Sequence, residues 1–342
     1  MKLCKTEEAV GQILCHDITQ IIPGVVKDAV FRKGHIIREE DIPVLLSVGK
    51  EHIYIWENDE KMLHENDAAD ILCSICKGEG MHETEVKEGK IELIADCNGV
   101  LKIEREMLRN VNRLGEMMIA SRYGDFPVKK GDKIAGTRII PLVIEKEKME
   151  RAKEVAGGKP IFQILPYQQK KIGLVITGSE VYKGRIQDSF TPVIREKLAE
   201  YGMEIQMQKL SGDDHKQITE IIQSMVDAGM DMIICTGGMS VDPDDRTPGA
   251  IKDTGADIVT YGAPVLPGAM LLLAYIQRGE RKIPVLGLPG CVMYAKRTVF
   301  DLILPRIMAD DPVTREEIAA YGEGGLCLGC ESCTFPNCGF GK

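Results

Sequence analysis

The stretch Lys171-Ile172-Gly173-Leu174-Val175-Ile176-Thr177-Gly178-Ser179-Glu180 runs from an apolar segment into a small, polar turn. Residues 171–176 predict a strand, and a run with so little charge suits one buried on both faces. Amphipathic helices are expected over residues 191–201, closed by Gly202, and over 215–228, with Ile218, Ile221, Ile222 and Met225 on one face. Further strands are expected over 204–210, 230–235, 257–261 and 283–288, and a long closing helix over 291–308. Strands alternating with helices predict an α/β fold with a mostly parallel sheet covered on both sides.

The strand ends carry the polar chemistry. The first strand ends in Thr177, Gly178, Ser179 and Glu180, followed by Gly184-Arg185-Ile186-Gln187-Asp188-Ser189. The 230–235 strand ends in Thr236, Gly237, Gly238, Met239 and Ser240, then Asp242-Pro243-Asp244-Asp245-Arg246-Thr247-Pro248. The last ends in Gly287-Leu288-Pro289-Gly290. Ligands of open parallel sheets bind at the carboxyl ends of the strands. Glycines let backbone approach an anion closely, and carboxylates beside a bound phosphate hold Mg²⁺. Asp188, Asp244 and Asp245 are the candidates for that ion. Each cluster also has a plain reading: a turn glycine, or a helix start such as Asp188 or Thr247-Pro248. Neither the dinucleotide fingerprint nor a Walker-type Gly-Lys-Ser/Thr is present.

The chain has 342 residues, enough for two or three domains, and its 44% hydrophobic and 28% charged residues are ordinary globular composition. Its 43 basic and 52 acidic residues leave a net charge of −9. That sign argues against a general nucleic-acid partner or an anionic membrane. The N-terminus has no apolar run after its basic start, and the run over 263–276 is broken by Pro264, Pro267 and Gly268, so neither a signal peptide nor a membrane span is expected. The expected compartment is the cytoplasm, where clustered cysteines suggest metal or redox chemistry rather than disulfides.

Residues 1–160 read as a mixed α+β region of one or two lobes. A short helix over 40–48 stops at Gly49, and residues 53–56 follow as a strand. Helices are expected over 66–77, 105–121 and 145–156, a hairpin of 90–95 with 99–103 around Asn98-Gly99, and a strand over 139–144. The boundary falls within 157–170, at Gly157-Gly158-Lys159-Pro160.

Taken together, the Thr177-Gly178-Ser179-Glu180 and Asp188-Ser189 cluster, the Thr236-Gly237-Gly238-x-Ser240 turn and the Gly287-Leu288-Pro289-Gly290 turn resemble the molybdopterin-binding domain of molybdenum-cofactor biosynthesis proteins. The resemblance covers about residues 170–312. It implies a three-layer α/β/α fold that binds molybdopterin or adenylyl-molybdopterin at the strand ends, in a homo-oligomer. The phosphate would rest on the backbone of Thr177, Gly178, Ser179 and Glu180 and of Thr236, Gly237, Gly238, Met239 and Ser240, with Ser189, Pro289 and Gly290 also binding the ligand. Asp188 and Asp245 would be catalytic, with Mg²⁺. Leu266-Pro267-Gly268 and the Gly-Leu-Pro-Gly turn look like the molybdenumtransferase, which inserts molybdate and releases AMP. Asp244-Asp245-Arg246-Thr247-Pro248 is closer to the adenylyltransferase, and a similar Asp-Asp-Arg-Thr run occurs in competence-damage-inducible proteins. The transferase usually has Lys-Pro-Gly-Lys where Leu266-Pro267-Gly268-Ala269 stands, and Asn-Pro where Cys291-Val292 stands. The alternatives are a molybdopterin adenylyltransferase-type activity, or a non-catalytic pterin carrier or sensor with a metal-binding tail.

Of the 11 cysteines, Cys327, Cys330, Cys333 and Cys338 form C-x2-C-x2-C-x4-C in a tail over 313–342. Thiols this tightly spaced suit an iron–sulfur cluster or Zn²⁺. Cys73 and Cys76 read as one buried helix face.

Overall fold

Every residue of the strand β1 (Ile172–Thr177) is buried. Five more strands complete its sheet: β2 (Ile205–Ser211), β3 (Met232–Thr236), β4 (Asp257–Tyr261), β5 (Leu272–Arg278) and β6 (Arg281–Leu288). This computed structural model describes residues 1–22, 26–55, 60–240, 242 and 245–342. The strand order is β2-β1-β3-β6-β5-β4. The pairs β2–β1, β1–β3 and β3–β6 are parallel, while β6–β5 and β5–β4 are antiparallel. The sheet is therefore mixed. Strand β5 had shown in the sequence only as an apolar run behind two prolines. It forms a hairpin with β6 across Gly279-Glu280, where Gly279 takes φ +59°.

Alternation along the strands sends side chains into two separate cores. Ile172, Leu174 and Ile176 of β1 join Met232 and Ile234 of β3 in one, with α1 (Phe190–Ala199) and much of the later helix α4. Val175, Ile233 and Cys235 join the other, with α2 (His215–Asp227) and α3 (Thr247–Asp253). The closing helix is shorter than the 291–308 expected. A 3-10 turn, Gly290–Met293, comes first, and α4 (Val299–Met308) starts only at a capping box of Thr298 and Asp301. A last helix, α5 (Arg315–Ala320), follows.

The buried Asp301 also receives Lys197 Nζ at 2.7 and 2.9 Å and Arg297 at 2.9 Å, so it is fully paired. Lys197 and Asp301 are 5% and 2% exposed. Removing one partner strands a buried charge. Lys197→Met is expected to cost about 3 kcal/mol in denaturant unfolding. A cost below about 1 kcal/mol would show that Arg297 alone satisfies Asp301.

The chain divides into two compact units, Met1–Asp96 with Ile103–Arg122 and Gly131–Gln163, and Cys97–Lys102 with Tyr123–Lys130 and Ile164–Lys342. In the first, the helix expected over 105–121 ends at Asn112, and Met117–Ser121 is a strand. Gly115 and Glu116 both take positive φ, and the Asn112 side chain exchanges two hydrogen bonds with Ile119, at 2.9 and 2.8 Å, which holds the reversal. The strand expected over 139–144 splits at Pro141 into Lys133–Ile139 and Val143–Glu145. The hairpin at Asn98-Gly99 is also corrected. Lys90–Ala95 pairs with Met81–Glu83 and Lys133–Ile139, whereas Gly99–Ile103 pairs with Pro127–Val128. A Cβ on Gly99 would sit 2.2 Å from the Leu165 carbonyl, so this glycine serves a close backbone approach rather than a hairpin turn. The helices expected near 66–77 and 145–156 are Glu65–Cys76 and Lys146–Val155. No helix among the described residues is long and apolar enough to cross a membrane.

Candidate active site

Strands β1, β3 and β6 are sheet neighbours, so Thr177, Thr236 and Leu288 end side by side. Thr177 donates its hydroxyl to the Thr236 carbonyl at 3.0 Å, and Thr247 donates to the Gly237 carbonyl at 2.9 Å. The two hydroxyl oxygens are themselves 2.9 Å apart. Two protons thus serve three contacts, and the hydroxyls knit the end of β3 to the start of α3. The Thr236 hydroxyl is buried with no partner among the described residues.

The turn after β3 depends on glycine. Gly237 has φ +86°, and a Cβ there would meet the Thr177 carbonyl oxygen at 2.2 Å. Gly238 has φ +54°, with a Cβ site 2.9 Å from Thr247 Oγ1. Met239 is buried and fills the space left by Gly287, whose Cβ would come within 2.5 Å of its thioether. Met239 therefore faces the core, and only its backbone is offered outward. Tyr261 OH fastens the turn from outside, donating to the Met239 carbonyl at 3.0 Å, with the Ser240 carbonyl at 3.3 Å. Burial, and then the Asp245 charge, push the Tyr261 hydroxyl above its usual pKa.

A cleft of about 650 Å³ opens beside this turn. Residues 237–240, Asp245, residues 266–270 and residues 288–291 line it, with Phe190, Met293 and Tyr294. Asp245 is the only carboxylate among the described lining residues, and none of them is lysine, arginine or histidine. One oxygen, Asp245 Oδ2, accepts the Asp242 N–H at 3.1 Å, while the Asp245 N–H returns to the Asp242 carbonyl at 2.9 Å. The wall at Gly268 is tight: its φ is +132°, and a Cβ would fall 2.5 Å from Val299. Residues 266–270, Phe190, Met293 and Tyr294 were not among the expected site residues; Leu266-Pro267-Gly268 was the signal that pointed there.

The expected residues divide accordingly. Gly237, Gly238, Met239, Ser240, Asp245, Pro289 and Gly290 line the cleft. Thr177 and Thr236 stand behind it as buried supports. Asp188 caps α1, its Oδ1 accepting from Phe190 N–H at 2.8 Å and Thr191 N–H at 3.3 Å and its Oδ2 from the Thr191 hydroxyl. Gly178, Ser179, Glu180, Asp188 and Ser189 are not among the residues that line it. The Ser179 N–H is taken by Asp213 Oδ2 at 2.9 Å. Asp244 lies outside the described residues. A second cavity, about 430 Å³, lies where the strands begin, and its Lys170 and Arg281 are paired with Asp310 and Asp231.

Among the described residues no three histidine, cysteine or acidic side chains converge to hold a metal ion. None of the eleven cysteines is joined in a disulfide. Burial raises Cys73 to about 11 and Cys235 to about 12, and raises Cys76 as well, while Cys330 and Cys333 are exposed. In reduced, metal-free protein, maleimide is expected to label Cys330 and Cys333 first, and Cys73, Cys76 and Cys235 only on unfolding. Peptide mapping that finds Cys235 labelled in the native state would contradict this burial.

Residues 173–309 match a family model described as "Probable molybdopterin binding domain", and residues 3–57 match one described as "Domain of unknown function (DUF8806)". The chain is similar to a molybdopterin molybdenumtransferase of Synechococcus elongatus, 28% identical over 182 residues, 51% of this chain and 42% of that protein. It is similar to a CinA-like protein of Mycolicibacterium gilvum, 38% identical over 77 residues, 22% of this chain and 18% of that protein. The crystal structure of the molybdopterin biosynthesis enzyme MoaB from Thermus thermophilus aligns at 22% identity and a TM-score of 0.33, covering 40% of this chain and 91% of that one. The chain thus spans less than half the length of these two curated relatives.

Proposed function

We propose that the molybdopterin-binding domain at residues 173–309, a three-layer α/β/α unit, takes molybdopterin or adenylyl-molybdopterin into the cleft at its strand ends and serves molybdate insertion with release of AMP. The observation that carries this reading is the meeting of the 237–240 turn, Asp245, and the 266–270 and 288–291 segments on one cleft. The backbone of residues 237–240 receives the phosphate, held in shape by Thr177, Thr247 and Tyr261. Leu266, Pro289 and Tyr294 offer apolar surface to the pterin and exclude water from it.

Charge decides what else is needed. A phosphate brought beside Asp245 adds negative charge to a cleft whose described lining has no cationic side chain. Mg²⁺ is bound in many such sites by one or two carboxylates plus the phosphate oxygens. Asp245 fits that role, since Asp242 occupies only its Oδ2. Asp245 would hold Mg²⁺, which would supply positive charge to the phosphoanhydride. Asp188, committed to its helix, positions α1 and thereby Phe190 at the cleft.

The absence of lysine from the described lining favours a second reading, a carrier that binds the pterin without turning it over. One experiment separates them. The full chain is incubated with adenylyl-molybdopterin, Mg²⁺ and molybdate, and AMP is measured beside pterin binding. AMP release above background supports the transferase. Micromolar binding without AMP leaves the carrier, and neither binding nor turnover rejects both.

A further inference from the structure

The cysteine tail is tied to the second unit at both ends. Leu266 N–H donates to the Gly325 carbonyl and Cys327 N–H to the Leu266 carbonyl, each at 2.8 Å. Gly341 N–H closes back on the Gly324 carbonyl at 2.9 Å, and a Cβ on Gly324 would lie 2.1 Å from the Lys342 carbonyl. Phe340 is buried in the core containing α4, and Phe335, Cys327 and Cys338 pack against it. Between these anchors residues 328–334 form neither helix nor strand. Apolar burial accounts for Cys327 and Cys338. It does not account for Cys330 and Cys333, which face solvent beside a Leu328 that is 82% exposed.

Cations gather on this loop although the chain as a whole is acidic. Lys296 Nζ donates to the Glu331 carbonyl, between Cys330 and Cys333, at 2.7 Å. Lys342 Nζ donates to the Pro336 carbonyl, between Cys333 and Cys338, at 2.7 Å. The Arg297 guanidinium, shared with Glu200 and Asp301, lies 5.2 Å from the Phe335 ring centre. Four thiolates on a divalent ion carry a net charge of about −2. Nearby cations offset such a charge. The remaining pair at close spacing, Cys73 and Cys76, is buried on a helix with both thiols held protonated by burial.

We propose that Cys327, Cys330, Cys333 and Cys338 are the ligands of one thiolate metal centre, a zinc ion or an iron–sulfur cluster. No three of them converge among the described residues. Ligation therefore folds the exposed Cys330–Cys333 segment onto the anchored Cys327 and Cys338. With Zn²⁺, four S–H groups release their protons to solvent and four S–Zn bonds form, with no electron transferred.

The test uses the full chain, reduced and anaerobic, titrated with Co²⁺ alone. One ion per chain is expected, with the intense near-ultraviolet absorption of thiolate-to-cobalt charge transfer, displaced by Zn²⁺. The double variant Cys330→Ser/Cys333→Ser changes only solvent-exposed positions, and should lose the band while its thermal unfolding without metal is unchanged. Metal loading should also protect residues 328–334 from proteolysis in the native chain and not in the double variant. Iron with acid-labile sulfide in the anaerobically isolated protein assigns the cluster, and zinc assigns the single ion. No cobalt band, or a band that survives in the double variant, overturns the proposal.

Discussion

Asp245→Asn is expected to lower Mg²⁺-dependent AMP release by about 100-fold or more while the protein stays folded. The reasoning separates the two jobs of the side chain. Its structural job is to accept the Asp242 N–H, and an asparagine carbonyl can still do that. Its chemical job is to bring a full negative charge to a cation beside the phosphate, and a neutral amide cannot. Thermal unfolding should therefore be unchanged while turnover falls and the Mg²⁺ concentration needed for half-maximal rate rises. An unchanged rate would remove Asp245 from the chemistry. A lowered melting temperature would show that the turn needs the carboxylate itself.

Gly237→Ala is expected to lose both pterin binding and about 3 kcal/mol or more of stability. Two penalties combine. An L-residue at φ +86° costs about 1–2 kcal/mol, and the new Cβ would lie 2.2 Å from the Thr177 carbonyl oxygen. Backbone must move, and what moves is the end of β1 or the turn that lines the cleft. Gly255→Ala is the matched control. It has φ +81° with nothing within 4 Å of the added carbon, so it carries the first penalty alone. Equal losses in chemical denaturation would show that the β1–β3 contact relaxes freely. A loss confined to stability, with pterin affinity retained, would move the phosphate off this turn.

How far the sequence could be read depended on whether the deciding interaction was local. The strands β1, β3 and β6 were legible because each is a run of buried apolar residues followed by turn chemistry, both within ten residues. The 237–240 turn and Asp245 followed from that pattern. Strand β5 was harder to see, because Pro264 and Pro267 just before it suggested a broken segment rather than an approach to an antiparallel hairpin. The helix expected over 105–121 had sound apolar spacing. It stops at Asn112 because a side-chain amide and two consecutive positive φ values outweigh that spacing. Asn98-Gly99 has the sequence of a hairpin turn, yet Gly99 is needed for the distant Leu165 backbone. Asp188 and Asp245 looked equivalent as acids after strands. In the fold, helix α1 consumes one while the other lines the cleft. The pairing of Leu266 with residues 325–327 joins positions some sixty residues apart, and no local pattern announces it.

Two short pieces of the N-terminal half, Cys97–Lys102 and Tyr123–Lys130, belong to the second unit. Phe126, from the later piece, is buried in that unit's core, with its ring 6.0 Å from Phe335 and beneath the Lys342 ammonium at 5.1 Å. A gene fragment starting at Ile164 would carry the whole six-stranded sheet and still encode an incomplete body. It would lack the aromatic partner of its own C-terminus and the strand Gly99–Ile103, whose Gly99 meets Leu165. Recombination, truncation or fusion at that point would therefore expose apolar surface that the intact chain covers. The second unit is built from three stretches of chain, so no single cut frees it.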